Sequence, residues 1–121
     1  LIEKIKEVHD TEVVFVVRGA ATLNDATLRE AKFIGLDKVA SVVENGIEDP
    51  LPGTILSRCS KEVRNLVDRA DLIISKGGGN FDTLEGEKNV LKNHLAFILL
   101  SDCFPYYNYF GNSELYQLYM V

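Results

Sequence analysis

Apolar positions along this chain follow two alternating periods. Over residues 1–9, Leu1, Ile2, Ile5 and Val8 recur at helical spacing. Glu12 to Arg18 instead carries an unbroken apolar run from Val13 to Val17, which predicts a strand buried on both faces. Helical spacing returns over Asn24–Ile34, with Leu28, Ala31 and Phe33 or Ile34 turned inward and Gly35 closing the helix. A second strand is predicted over Lys38–Val43, followed by a turn-rich loop from Glu44 to Thr54. Ser60–Arg69 reads as a helix with Val63, Leu66 and Val67 on its apolar side, and Leu72–Ser75 as a third strand. The pattern then predicts a short helix over Asn80–Glu87 and a strand over Leu95–Leu100. A short helix or turn over Phe104–Phe110 and a last strand over Tyr116–Val121 complete it.

Continuous apolar strands separated by helices imply an α/β fold, a Rossmann-like three-layer sandwich whose mostly parallel sheet is covered on both faces. At 121 residues this is one domain, 1–121. Such sheets place ligand sites at the carboxyl ends of their strands, so the loops after residues 18, 43 and 75 are where chemistry is expected. The chain opens on Leu1, without a methionine and already in helical pattern, as either trimming or a start in mid-domain would leave it.

Composition narrows the partners. A net charge of −5 and the lack of a basic stripe speak against nucleic acid. The apolar runs Val13–Val17 and Leu95–Leu100 are too short to cross a bilayer, and Leu1-Ile2-Glu3-Lys4-Ile5-Lys6 is charged from the outset, unlike a signal peptide. Cys59 and Cys103 are far apart and form no metal spacing, so a reduced, cytoplasmic setting without membrane contact is expected.

The strongest chemical signal is Ile73-Ile74-Ser75-Lys76-Gly77-Gly78-Gly79-Asn80. An apolar strand that runs into a lysine and three glycines, ahead of a helix start, can turn backbone N–H groups and one full positive charge toward an anion. The same residues also suit a plain turn with Asn80 capping the next helix. It is not the Walker A pattern, since the lysine precedes the glycines. Asn24-Asp25-Ala26-Thr27 is the second signal. Asn24 or Thr22 can cap a helix there, and Asp25 suits its positive end, but a carboxylate at a strand tip is also where a hard cation is held. Gly46 and Pro52-Gly53-Thr54 mark turns in a long loop, where Thr54 offers a hydroxyl. The aromatic group Tyr106, Tyr107, Tyr109, Phe110, Tyr116 and Tyr119 reads as packing, because no basic residues surround it.

Taken in order, Val17-Arg18-Gly19, Leu23-Asn24-Asp25-Ala26-Thr27, Gly46, Pro52-Gly53-Thr54, Ala70 to Gly77 and Gly79-Asn80-Phe81 resemble the metal-dependent damage-control phosphatases, the family also known as domain-of-unknown-function eighty-nine. The resemblance implies hydrolysis of phosphomonoesters on small metabolites such as sugar phosphates, nucleotides or cofactor-derived phosphates. It implies a divalent cofactor: magnesium, manganese, cobalt or nickel. It further implies that the chain is the C-terminal part of a larger domain. By motif, Asp25 corresponds to a metal ligand, and Asp25 and Lys76 to catalytic residues. Lys76 and Asn80 correspond to residues that grip the phosphate, with Asn24, Thr54, Gly77 and Gly79 around the substrate. This chain has Gly78 where the family usually has glutamine, and Asp82 where glutamate is frequent. The family's second acidic metal motif and helical N-terminal region would lie upstream of Leu1, so weak or no activity is expected of these 121 residues alone, together with self-association. The competing expectation is a noncatalytic module that binds a phosphorylated metabolite or nucleotide at Lys76–Asn80.

Overall fold

The computed structural model describes residues 1–87, 91, 94–111 and 117–120. The chain divides into two compact units, Leu1–Pro52 with Leu56–Arg64, and Gly53–Ile55 with Asn65–Val121. Each is an α/β assembly, as the alternation of periods predicts.

The first unit contains α1 (Ile2–Val8), β1 (Val14–Val17), α2 (Leu28–Phe33), β2 (Ser41–Glu44) and the start of α3 (Lys61–Arg69). β1 and β2 pair in parallel, from Val14 opposite Ser41 to Val17 opposite Glu44. Val17, Ala31, Ala40, Ile47, Cys59 and Val63 form its buried apolar set. The helix expected from Asn24 begins only at Leu28. Ala26 accepts a backbone bond from the Arg18 N–H at 3.0 Å, and Thr27 bridges to Arg18 in parallel fashion. Residues 22–25 therefore form a turn, residues 26 and 27 run beside the end of β1, and Thr27 caps the helix in place of Thr22 or Asn24. Likewise Leu36–Lys38 forms a 3-10 turn, which shifts the second strand from the expected Lys38 start to Ser41.

The second unit contains the rest of α3, then β3 (Leu72–Lys76), α4 (Gly78–Leu84), β4 (His94–Ser101), α5 (Phe104–Tyr109) and β5 (Gln117–Met120). β4 is central, parallel to β3 and antiparallel to β5. Tyr116 and Val121, expected to bound the last strand, lie outside the described residues. Phe97 and Leu99 of β4 are fully buried beneath Phe81 and Leu84 of α4, and burying side chains of this size contributes about 1.5–3 kcal/mol each. Phe81 meets Phe97 edge-on at a ring separation of 5.0 Å, and Tyr106 and Tyr109 of α5 at 6.1 and 5.4 Å. The expected packing role of the aromatic group is thus seen in Tyr106, Tyr109 and Phe110.

Among the described residues of this unit, helices cover one face of the sheet. Both α4 and α5 pack on the Phe97 side. The alternate residues of the other face leave Leu72, Ile74, Leu100, Leu118 and Met120 exposed, the last two to 71% and 75%.

Candidate functional site: a glycine loop and a strand-tip carboxylate

In the first unit, the chain leaves β1 at Arg18, whose guanidinium is buried and donates from Nε to Asp25 Oδ2 at 2.8 Å. Asp25 is held from the backbone as well, its N–H donating to the Thr22 carbonyl at 2.9 Å. The residue between, Leu23, is exposed and adopts a left-handed conformation with φ 49°, uncommon outside glycine, asparagine and aspartate. Asn24 is exposed beside it. Asn45 at the tip of β2 organises the neighbouring turn. Its Oδ1 accepts from the N–H groups of Gly19 (2.9 Å) and Ile47 (3.0 Å), and its own N–H donates to the Val17 carbonyl. Sequence reading passed over Asn45 and gave Arg18 no role of its own. The signal for Asn45 was present, an Asn-Gly pair one residue beyond an apolar run, but an Asn-Gly pair reads first as a turn.

Asp25 fits the chemistry of a hard cation, with a partly exposed carboxylate whose Oδ2 accepts from Arg18. It does not complete a metal site. Among the described residues, no three His, Cys, Asp or Glu side chains are grouped to hold an ion.

In the second unit, Lys76 ends β3 with its side chain exposed, and no hydrogen bond or ion pair engages its ammonium among the described residues. Gly77 turns the chain at φ 96°, ψ 157°, a conformation open essentially only to glycine, while its N–H donates to the Ile98 carbonyl at 2.8 Å. α4 starts at Gly78, not at Asn80, so Gly77 occupies the cap position expected of Asn80. The amide of Asn80 is used otherwise. Its Nδ2 donates to the Lys76 carbonyl at 2.8 Å, closing the loop, and its Oδ1 accepts from the Thr54 hydroxyl at 2.8 Å. The Thr54 N–H donates to Thr83 Oγ1, which in turn donates to the Gly79 carbonyl. Thr54, Lys76, Gly77, Gly79 and Asn80 are therefore brought together as one tied loop, and Thr83 joins them unforeseen. Gly78 and Gly79 lie in the first turn of α4, where backbone N–H groups have no carbonyl within the helix to bond. Immediately before the loop, Ser75 buries a hydroxyl that has no hydrogen-bond partner among the described residues.

Residues 1–110 match the model of the damage-control phosphatase ARMT1-like domain. The chain belongs to that family. Among relatives of this ARMT1-like domain, it is 35% identical over 103 residues to damage-control phosphatase PH1575 of Pyrococcus horikoshii and 39% identical over 105 residues to the uncharacterized protein MJ0202 of Methanocaldococcus jannaschii. These matches take in 85% and 87% of this chain but only 34% of each relative. The crystal structure of the duf89 family protein from Pyrococcus horikoshii superposes with a TM-score of 0.81 at 31% identity. That match covers 96% of this chain and 39% of the other. The ARMT1-like domain here thus spans about a third of its relatives' length.

Proposed function

We propose that this chain is part of a metal-dependent phosphatase that hydrolyses phosphomonoesters of small metabolites. The family match over residues 1–110 carries the reading, since relatives at 33% and 35% identity are named damage-control phosphatases. The chemistry of the loop supports it. The exposed ammonium of Lys76 and the first-turn N–H groups after Gly77 suit the negative charge on a phosphoryl group. Asn80 and Thr54 keep the loop's shape through their shared hydrogen bond, and Asn80 also holds the Lys76 carbonyl.

Asp25 is proposed as one ligand of a divalent cation, with magnesium, manganese, cobalt or nickel as candidates. Such an ion supplies charge neutralisation at a phosphoryl oxygen and a more acidic bound water. Arg18 keeps the Asp25 carboxylate in place. The remaining ligands, in this reading, come from the part of a relative-length enzyme that these 121 residues do not match.

The test is release of inorganic phosphate from a panel of sugar phosphates and nucleotides, with and without manganese. The chain is assayed beside a version extended upstream through its coding sequence. Metal-stimulated turnover is expected of the extended protein. It should fall about 100-fold or more on Lys76→Ala, the usual scale for losing one electrostatic stabiliser, and should be abolished by Asp25→Asn. Wild-type rates in either variant would overturn the assignment. Vigorous turnover by the 121 residues alone would overturn the claim that other ligands are needed.

A further inference from the structure

Each side of the glycine loop meets a different part of the second unit. A side chain at Gly53 would collide with the carbonyl of Gly79 and with Thr83, so Gly53-Thr54 lies flush against the first turn of α4. At Gly78 the space a side chain would enter is already filled. A Cβ there would lie 2.5 Å from the hydroxyl oxygen of Tyr106 and 2.7 and 2.9 Å from its Cε2 and Cζ. The phenol that fills this space is fixed independently of the loop. It donates to Asp82 Oδ2 at 2.9 Å, and its ring stands edge-on to Phe81, which is itself packed on Phe97.

We propose that Tyr106 is a positioning residue for the Lys76–Asn80 loop, acting through its contact with Gly78 and its hydrogen bond to Asp82. The inference rests on the phosphate-binding reading of that loop. Three consecutive glycines have more backbone freedom to lose than any other triplet, and a loop that must order itself on binding loses affinity for its ligand. Tyr106 restricts that freedom beforehand. It bears on Gly78 from one side while Gly53 and Thr54 bear on Gly79 and Asn80 from another. Burial, and then the bond to Asp82, raise the phenol's pKa, so the donor stays protonated throughout the physiological range. Pro105 in the first turn of α5 stiffens the approach to Tyr106.

The experiment is calorimetric titration of the 121-residue chain with inorganic phosphate, together with thermal melting of every variant. Tyr106→Ala is expected to weaken phosphate binding about tenfold. Tyr106→Phe, which keeps the ring against Gly78 and loses only the bond to Asp82, should recover part of that loss. Gly78→Ala should weaken binding by a similar factor in the wild-type background and by almost nothing once Tyr106 is alanine, because the two changes abolish the same contact. Lowered melting temperatures with unchanged phosphate affinity, or losses that multiply in the double variant, would overturn the proposal. Should Tyr106→Ala not fold, Tyr106→Phe and Gly78→Ala still decide it, since wild-type affinity in both would overturn it. Lys76→Ala separates the two levels. If it binds phosphate as well as wild type, or if wild type binds none, the phosphate reading fails and the role of Tyr106 with it. If Lys76→Ala alone weakens binding, only the role of Tyr106 fails.

Discussion

Gly77 and Gly53 are both glycines of necessity, for reasons that mutation can tell apart. Gly77 has no atom of the described residues within 4 Å of where its side chain would stand, so among them alanine meets only the penalty of an unfavourable backbone conformation, about 1–3 kcal/mol. Gly53 combines φ 78° with a steric collision against Gly79 and Thr83, so Gly53→Ala should be the more destabilising of the two in urea unfolding. The reverse order would mean that the loop yields more easily than its contacts imply. Ser75→Ala should be neutral or stabilising by about 1 kcal/mol, because the hydroxyl it removes is buried with no bond among the described residues. A loss of stability in the same assay would reveal an unseen partner. At this scale the sequence was legible where residue type and conformation coincide. Glycines after an apolar strand meant a tight turn into a helix, and Gly77 supplies it at φ 96°. It was not legible where one side chain had several possible uses. Asn80 is as good a cap as any asparagine, and only the nearness of Thr54, 26 residues away, shows that its amide is committed elsewhere.

α2 shows how an element boundary is decided by competition. Thr22, Asn24 and Thr27 are all credible caps, and Thr27 wins because Glu30 stands three residues on and returns a bond to the Thr27 N–H, the reciprocal capping box. That Thr-x-x-Glu signature was readable in the sequence. What was not readable is the bridge to Arg18 that keeps residues 26 and 27 extended. The consequence for chemistry is that Asp25 lies in a loop ahead of the helix, paired with Arg18, and is not a first-turn helix residue. Thr27→Ala should cost about 1 kcal/mol by chemical denaturation. The bond from the Thr27 side chain, and then that from its backbone, lower the Glu30 pKa below 4.5. With a folded-state value below the unfolded one, the stability Glu30 adds is complete above the ordinary carboxylate range and is lost as pH falls through the lowered value. Wild type and Glu30→Gln should therefore converge in stability as the pH is taken down into that range. A constant difference at all pH values would assign the effect to something other than ionisation.

At the scale of the whole molecule, alternation of periods gave the order of strands and helices, and parallel pairing of β1 with β2 and of β3 with β4 follows from it. Which face of each strand is covered did not follow. An unbroken run such as Leu95–Leu100 looks the same whether both faces are buried or one. Parallel strands are rarely left bare on one side, and the uncovered residues Leu72, Ile74, Leu100, Leu118 and Met120 are all apolar. Self-association of the 121-residue chain through this face is proposed, with Leu118→Lys and Met120→Lys shifting it toward monomer in sedimentation velocity. A clean wild-type monomer would contradict the proposal.

The association proposed for that face carries a temperature dependence of its own. Contact between apolar surfaces near 25 °C is driven mainly by the entropy of released water, and it weakens as water is cooled. Assemblies held together through Leu118 and Met120 should therefore loosen in a cold room and re-form on the warm bench.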